Sequence, residues 1–220
     1  MAKRKISKGR CYFCSAIFSK NVMTKHLKKC KQRKAEIEKQ QKEVKIFHIM
    51  AEGRYLPQYW IHFEMPANAT LKDLDNFLRD IWVECCGHLS AFTIDNIRYS
   101  SYPLKEYDER SMKEKLEEVL GLGKKFYYEY DFGTPTELVL KILDERKGKM
   151  KEKVKLLARN EPPPIKCEIC GKTATYVCSQ CIYEGKGWLC DECASKHECG
   201  EEMLLPVVNS PRVGMCGYTG

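Results

Sequence analysis

The chain has 220 residues, 43% of them hydrophobic and 10% aromatic, a composition that fits a globular protein with one modest core and excludes a disordered chain. The 38 Lys and Arg residues outnumber the 30 Asp and Glu residues, which leaves a net charge of +8. No segment approaches the roughly 18 consecutive apolar residues of a membrane span, and the basic first residues do not resemble a secretory signal. We therefore expect a cytoplasmic protein, in which closely spaced cysteines bind metal rather than form disulfides.

Positive charge is concentrated at the N-terminus. Residues 1–34 contain twelve Lys or Arg and no Asp or Glu, so taking twelve from the net +8 leaves −4 for the rest of the chain. A basic block on an acidic body is typical of a segment that binds nucleic acid, although it can also be a solubilising tail. The side chains that we expect to contact nucleic acid, either DNA or RNA, are Lys3, Arg4, Lys5, Lys8, Arg10, Lys20, Asn21, Lys25 and Lys28.

The same segment, residues 1–34, contains a set of metal ligands. Cys11 and Cys14 form a CxxC pair, and His26 and Cys30 stand four residues apart, on one face of a helix. These four residues predict a tetrahedral Zn²⁺ site whose metal supplies folding energy that so small a unit cannot obtain from an apolar core. The pattern resembles the Cys-Cys-His-Cys zinc-finger family, and this resemblance implies a knuckle-and-helix fold that binds nucleic acid or protein.

The central part of the chain changes from helical to strand periodicity. Residues 35–43 alternate in charge without an apolar stripe and predict a solvated helical spacer, and a separate domain is expected over residues 44–160. We expect strands at residues 44–50, 59–65, 91–99, 126–131 and 137–143, and helices from Thr70 to Trp82 and over residues 112–120. This order predicts an α+β fold, with a central mixed or antiparallel sheet and helices, flanked by two small zinc-binding modules.

Three motifs stand out in this central domain. They are His88-Leu89-x-x-Phe92, a following strand that ends in Tyr99, and the sequence Tyr130-Asp-Phe-Gly133 after a predicted strand. Together they resemble the plasmid pRiA ORF-three-like family, whose members are often labelled insertion-element passenger or TnpR-type proteins. The resemblance covers roughly residues 44–160 and implies an α+β fold and an association with plasmid or mobile-element DNA, with no established activity. The family's later Trp-Glu-His is absent here, where only Glu137 is retained.

Catalysis is the alternative function for this domain. The polar residues best placed at strand ends are His88, Asp95, Asp131 and Glu137. A simpler interpretation is that Asp131 closes a turn in which Gly133 has positive φ, and that His88 is a hydrogen-bonded structural residue. Cys85 and Cys86 are expected to be buried and to bind no metal. Since no known nucleophile or phosphate-loop motif is present, a binding protein is favoured over a hydrolase or nuclease.

The C-terminal module, residues 161–220, begins with a proline-rich linker and contains four ligand pairs. These are Cys167/Cys170, Cys178/Cys181, Cys190/Cys193 and His197/Cys199. If the first pair joins the third and the second joins the fourth, the module holds two closed Zn²⁺ sites in a cross-braced arrangement; sequential pairing is the alternative. The spacing resembles the B-box class of double-zinc domains, which implies a protein partner. Because His197-x-Cys199 is tight, Cys216 is an alternative eighth ligand.

The sequence thus predicts three Zn²⁺ ions in a nucleic-acid-binding accessory protein related to plasmid or mobile-element proteins. The alternative is a protein-interaction adaptor that does not bind nucleic acid. No membrane association is expected.

Overall fold

The computed structural model describes residues 7–40 and 43–220, so the predicted contacts Lys3, Arg4 and Lys5 lie outside the described residues. The strands of the main sheet are β1 (Lys8–Cys11), β2 (Ile17–Ser19), β3 (Val44–Gly53), β4 (Trp60–Pro66), β5 (Ser90–Ile94), β6 (Ile97–Ser100), β7 (Arg110–Ser111), β8 (Lys125–Tyr130), β9 (Thr136–Gly148) and β10 (Lys155–Asn160). Their order across the sheet is β2-β1-β10-β4-β3-β9-β8-β5-β6-β7. Neighbours are antiparallel except β6 and β7, which are parallel, so the predicted mixed sheet is confirmed.

The helices of the described chain are α1 (Lys20–Lys29), α2 (Lys31–Glu38), α3 (Leu71–Leu78), α4 (Leu116–Val119) and α5 (Asp191–Ala194). A second, three-stranded sheet in the C-terminal part has the order β12-β11-β13, formed by β11 (Tyr176–Cys178), β12 (Trp188–Leu189) and β13 (Leu204–Pro206). These elements confirm the α+β class. Across residues 7–40 and 43–220, every helix is too short or too polar to cross a bilayer.

Helix α3 closes the main core over the central strands. Thr70 and Asp73 form a capping box, in which the Thr70 hydroxyl accepts from the Asp73 N–H at 3.1 Å and the Asp73 carboxylate accepts from the Thr70 N–H at 3.0 Å. Leu71, Leu74 and Leu78 are fully buried in the core. Each contributes about 1.5–3 kcal/mol of burial energy, so the amphipathic pattern determines which face of the helix meets the sheet.

Several predicted elements have other bounds in the structure; the helix expected from Thr70 to Trp82, for example, is α-helical only to Leu78 and continues as a π-helical turn over Arg79–Val83. The strand expected at residues 91–99 is a hairpin of β5 and β6, because Asp95 and Asn96 adopt φ of 49° and 65°, the left-handed pair that a tight hairpin turn requires. The helix expected at residues 112–120 is limited to α4. Strand β9 runs to Gly148 since its pairing with β3 continues to Val44.

The N-terminal module extends the main sheet. Strand β1 pairs with β10, with Gly9 opposite Asn160, so the hairpin of β1 and β2 forms one edge of the sheet. A Cβ on Gly9 would lie 2.3 Å from the Arg159 carbonyl and 2.5 Å from the Trp60 ring, so only glycine fits this approach. The module is therefore packed on the domain predicted for residues 44–160.

Helix α2, which overlaps the spacer expected at residues 35–43, is docked through a residue just before that range. Arg33, on α2, is only 6% exposed, and its guanidinium donates to Glu64 Oε1 at 2.5 Å. Arg146 from β9 donates to the other Glu64 oxygen at 2.6 Å. Within residues 35–43, Gln40 accepts from Arg146 at 3.0 Å and Glu36 pairs with Lys155, so this segment contacts the sheet through polar side chains, which the missing apolar stripe does not reveal.

The C-terminal tail folds back onto the central domain. Ser210, Arg212 and Tyr218 are buried, and the Ser210 hydroxyl donates to the Trp82 carbonyl at 2.5 Å. The Arg212 guanidinium forms a 2.7 Å ion pair with Asp131. The tail therefore brings its cysteine, Cys216, to the loop that follows α3.

Candidate metal centres

The first predicted ligand set comes together beside the hairpin of β1 and β2. The ligand atoms of Cys11, Cys14, His26 and Cys30 all lie within 4.8 Å of one another. Cys14 Sγ is 3.3 Å from His26 Nε2. Since bonds of about 2.0–2.3 Å to one tetrahedral Zn²⁺ separate its ligand atoms by about 3.3–3.8 Å, this group could hold a metal ion.

Local structure places each of these ligands. Cys11 ends β1, and its carbonyl accepts from the Ser15 N–H at 2.8 Å in a turn where Ser15 has φ of 59°. The Phe18 ring packs on His26, with ring centroids 4.6 Å apart. Burial raises the pKa of Cys11 to about 11 and lowers the pKa of His26, which keeps the imidazole in its neutral, metal-ligating form. Cys11 is fully buried and Cys30 nearly so, which makes this a closed group.

The C-terminal ligands form two interleaved groups. One consists of Cys167, Cys170, Cys190 and Cys193, and the other of Cys178, Cys181, His197 and Cys199. The sulfurs of Cys170 and Cys190 are 3.5 Å apart, and Cys181 Sγ lies 3.4 Å from Cys199 Sγ. The first pair thus meets the third and the second meets the fourth, which is the cross-braced grouping, and Cys199 rather than Cys216 completes the second group.

The fold of the C-terminal module supports both groups. Cys167 and Cys170 flank a turn in which the Gly171 N–H donates to the Cys167 carbonyl at 2.9 Å. Cys178 ends β11, and its neighbour Val177 joins the same apolar core as the central strands. The strand that carries Cys178 is therefore packed on the main apolar core, so the C-terminal module is attached to the body of the protein.

A fourth group was missed by the sequence analysis. It consists of Cys85, Cys86, His88 and Cys216. Cys85 is half-buried and Cys86 is exposed, so the expectation that both are buried is wrong for Cys86. With this group every one of the thirteen cysteines belongs to a cluster. The only sequence signal was a Cys-Cys-x-His run together with one cysteine left over in the tail.

The predicted nucleic-acid contacts fall into two classes. Arg10 pairs with Glu161 at 2.9 Å, Lys28 pairs with Asp144 at 3.5 Å, and Lys20 pairs with Glu52, so these three cations are partly neutralised within the chain. Lys8, Asn21 and Lys25 are exposed, and within residues 7–40 and 43–220 the two lysines form no ion pair. The prediction did not include three further exposed lysines with the same property, Lys29, Lys31 and Lys34.

The four residues considered for catalysis are mostly occupied by structural partners. Asp95 pairs with Lys124 at 2.7 Å, in the hairpin turn, and Glu137 pairs with Arg54 at 2.7 Å. Of the four, His88 and Asp131 approach each other, with His88 Nε2 3.5 Å from Asp131 Oδ2.

Asp131 closes the turn after β8 as expected. Its Oδ1 accepts from the N–H groups of Gly133 and Thr134 at 3.1 and 3.2 Å. Although partial burial acts in the opposite direction, the Arg212 guanidinium and these backbone donors hold the pKa of Asp131 below its usual value. The positive φ, 66°, is at Asp131 and not at Gly133, because the aspartate side chain itself stabilises the left-handed conformation.

A family profile and a solved structure are similar to this chain. A family profile described as Plasmid pRiA4b ORF-3-like protein matches residues 43–178, which is more than half of the chain and reaches beyond the proline-rich linker. A solved structure titled "Crystal Structure of Protein of Unknown Function MM3350 from Methanosarcina mazei Go1" is similar over 72% of this chain and 85% of that chain, with a TM-score of 0.48 and 18% identity. No curated protein matches the chain.

Proposed function

The chain belongs to the plasmid pRiA4b ORF-3-like family, and we propose that this member is a zinc-stabilised accessory protein that binds nucleic acid through its N-terminal module. The ion proposed for the three clusters at the two ends of the chain is Zn²⁺. Their donors are thiolates and imidazoles in groups of four, the ligand set and coordination number of structural zinc. All four positions in each group are filled by the protein, so these metals would hold the fold rather than react.

One observation carries the nucleic-acid part of the proposal. Lys25, Lys29, Lys31 and Lys34 are exposed along α1 and α2, and within the described chain none of them forms an ion pair. They belong to a segment without acidic residues, attached to a body of net charge −4. Unneutralised lysines on a metal-held helix are suited to bind phosphates, because each contact releases a condensed counterion from the nucleic acid.

The ion pairs within the chain change which of the predicted residues we expect to contribute most to nucleic-acid binding. Arg10, Lys20 and Lys28 already pair with carboxylates, so their replacement should weaken binding less than replacement of Lys25 or Lys29. A single finger contacts about three base pairs, so we expect backbone binding with little sequence preference. An association with plasmid DNA, which the family name suggests, would then require another element that recognises sequence.

The test is a charge-reversal pair with a matched control. Lys25→Glu/Lys29→Glu should weaken binding to a labelled DNA duplex and to a labelled RNA roughly tenfold or more near 0.1 M salt. The slope of log K against log salt concentration should become less negative by about 0.9 for each lost phosphate contact. Lys113→Glu/Lys151→Glu changes the net charge equally at two exposed lysines of the central domain and should leave binding close to that of the unmodified protein. Fluorescence anisotropy across a salt series measures both quantities.

Equal loss of affinity in the two variants would show a non-local charge effect, and no loss in either would refute the proposal. The second result would favour the protein-interaction adaptor. The observation behind that alternative is that Ile169 and Tyr183, in the C-terminal module, are 68% and 71% exposed. A hydrolase or nuclease is not proposed, since Asp95, Asp131 and Glu137 each hold a cation of the chain.

A further inference from the structure

We propose that Cys85, Cys86, His88 and Cys216 form a fourth Zn²⁺ site, which exchanges its metal with solvent and fastens the C-terminal tail to the central domain. The donor atoms are already grouped for one ion. His88 Nε2 lies 3.0 Å from Cys86 Sγ and 3.2 Å from Cys216 Sγ, and the sulfurs of Cys86 and Cys216 are 3.7 Å apart. Three thiolates and one imidazole are a ligand set that tetrahedral Zn²⁺ accepts.

The adjacent cysteines both contribute to this group. Their sulfurs are 3.5 Å apart, far beyond the roughly 2.05 Å of a disulfide bond and similar to the 3.3–3.5 Å between donor atoms in the other three clusters. The backbone leaves Val83, at the end of the turn after α3, and passes through Gly87 with φ of 78°. This bend lets the side chains of Cys85, Cys86 and His88 face one point.

The loop that carries three of these ligands is held in place by hydrogen bonds to the core. The N–H groups of Cys85 and His88 both donate to the Tyr130 hydroxyl at 3.3 Å, and that hydroxyl donates to Glu84 Oε1 at 2.9 Å. Arg79 donates to the other Glu84 oxygen at 2.5 Å. Three of the four ligands are therefore preorganised on the core, which reduces the entropy lost when a metal binds.

The fourth ligand depends on the tail. Arg212 is fully buried, and its Nη2 atom forms the 2.7 Å pair with Asp131 that anchors the segment before Cys216. The same atom is 3.4 Å from Cys85 Sγ, so the tail supplies a cation beside a ligand sulfur as well as a thiol. Cys216 has φ of 48°, which turns the chain so that its sulfur meets the group.

Exposure distinguishes this cluster from the other three. Cys86 and Cys216 are exposed and Cys85 and His88 are half-buried, whereas each cluster at the ends of the chain has at least one buried cysteine. An open cavity of about 580 Å³ adjoins His88 and is lined mostly by polar side chains, including Arg79 and Glu84. Solvent and a competing chelator can reach the ligands, so metal here should leave faster than metal at the closed clusters.

The experiment counts metals in the reduced full-length protein. Native mass spectrometry of zinc-loaded protein should give four ions per chain, three for Cys216→Ser, and four for the control Thr219→Ala, which changes an exposed tail residue that belongs to no cluster. With a chromophoric chelator, one of the four ions should leave roughly tenfold faster than the rest, and Cys216→Ser should lack that fast phase. Hydrogen exchange of residues 209–218 should increase when this ion is removed.

Three ions in the wild-type protein would overturn the proposal, and so would a Cys85–Cys86 disulfide under reducing conditions. Retention of four ions by Cys216→Ser would also overturn it. If that variant does not fold, the wild-type count alone decides. The proposal is independent of nucleic-acid binding, since the anisotropy of the lysine variants and the metal count are separate measurements.

Discussion

The two ends of the chain attach metal-ligand clusters to the same sheet in different ways. The N-terminal cluster is built within twenty residues, from Cys11 to Cys30, and its hairpin adds two strands to the sheet edge through β1 and β10. The cluster at the tail instead joins Cys85 and Cys216, residues 131 positions apart, by side-chain anchoring of Arg212. A local cluster has to fold with its metal, whereas a cluster assembled on an existing core can gain or lose its ion while the core persists.

Loss of a ligand should therefore be far more damaging at the N-terminus. Cys11→Ser removes a fully buried thiolate from a closed group, and structural zinc contributes about 10–16 kcal/mol in small zinc-dependent units. We expect one ion fewer and rapid hydrogen exchange throughout β1, β2 and α1, with β11 to β13 unaffected. Cys86→Ser, in the exposed group, should also lose one ion but leave the unfolding midpoint nearly unchanged. Native mass spectrometry measures the ion count and urea unfolding measures the stability of both variants. Equal losses of stability would contradict the proposed difference between the two clusters.

The docking of the N-terminal hairpin can be weakened without touching a ligand. Gly9→Ala places a Cβ 2.5 Å from the Trp60 ring and 2.3 Å from the Arg159 carbonyl, and such overpacking costs about 1–3 kcal/mol. Gly121→Ala is the matched control, because a Cβ there meets no atom within 4 Å. Urea unfolding of both variants measures the difference. If Gly9→Ala is as stable as Gly121→Ala, the close approach of β1 to Trp60 is not what fixes the hairpin.

The sheet beneath the N-terminal module should also make the protein sensitive to acid. Burial lowers the pKa of His48 to about 3 and places the pKa of His62 well below its usual value. Both stay neutral in the folded protein, whereas the unfolded chain takes up protons below about pH 6.5. The contribution of these two histidines to the free energy of unfolding is therefore fully present above about pH 6.5. It is lost on acidification toward pH 3, by roughly 1 kcal/mol per pH unit for each histidine.

His48→Leu should remove about half of this pH dependence, since one of the two buried imidazoles is gone. Urea unfolding between pH 7 and pH 5.5, with the metal content checked at each pH, measures the slope for both proteins. A variant with the same slope as the wild type would assign the acid sensitivity to metal loss instead.

The sequence by itself determined the features whose partners lie close in the chain. CxxC pairs and the His26/Cys30 spacing predicted three ligand sets that the structure groups as expected, and the amphipathic run from Leu71 predicted α3 and its buried face. The α+β class followed from the order of periodic segments, because short-range periodicity reports which side of a strand or helix is buried.

Only the tertiary structure decided what depends on contacts between distant segments. The pairing of β1 with β10, the burial of Arg33 against Glu64, and the neutralisation of Lys20 by Glu52 bring together residues that no local pattern connects. The fourth cluster is the clearest case, since Cys216 lies beside Cys86 in a tail that is anchored by Ser210 on Trp82 and by Arg212 on Asp131. Spacing identifies ligands that one turn or one helix brings together, whereas ligands joined by chain docking become visible when the packing is known.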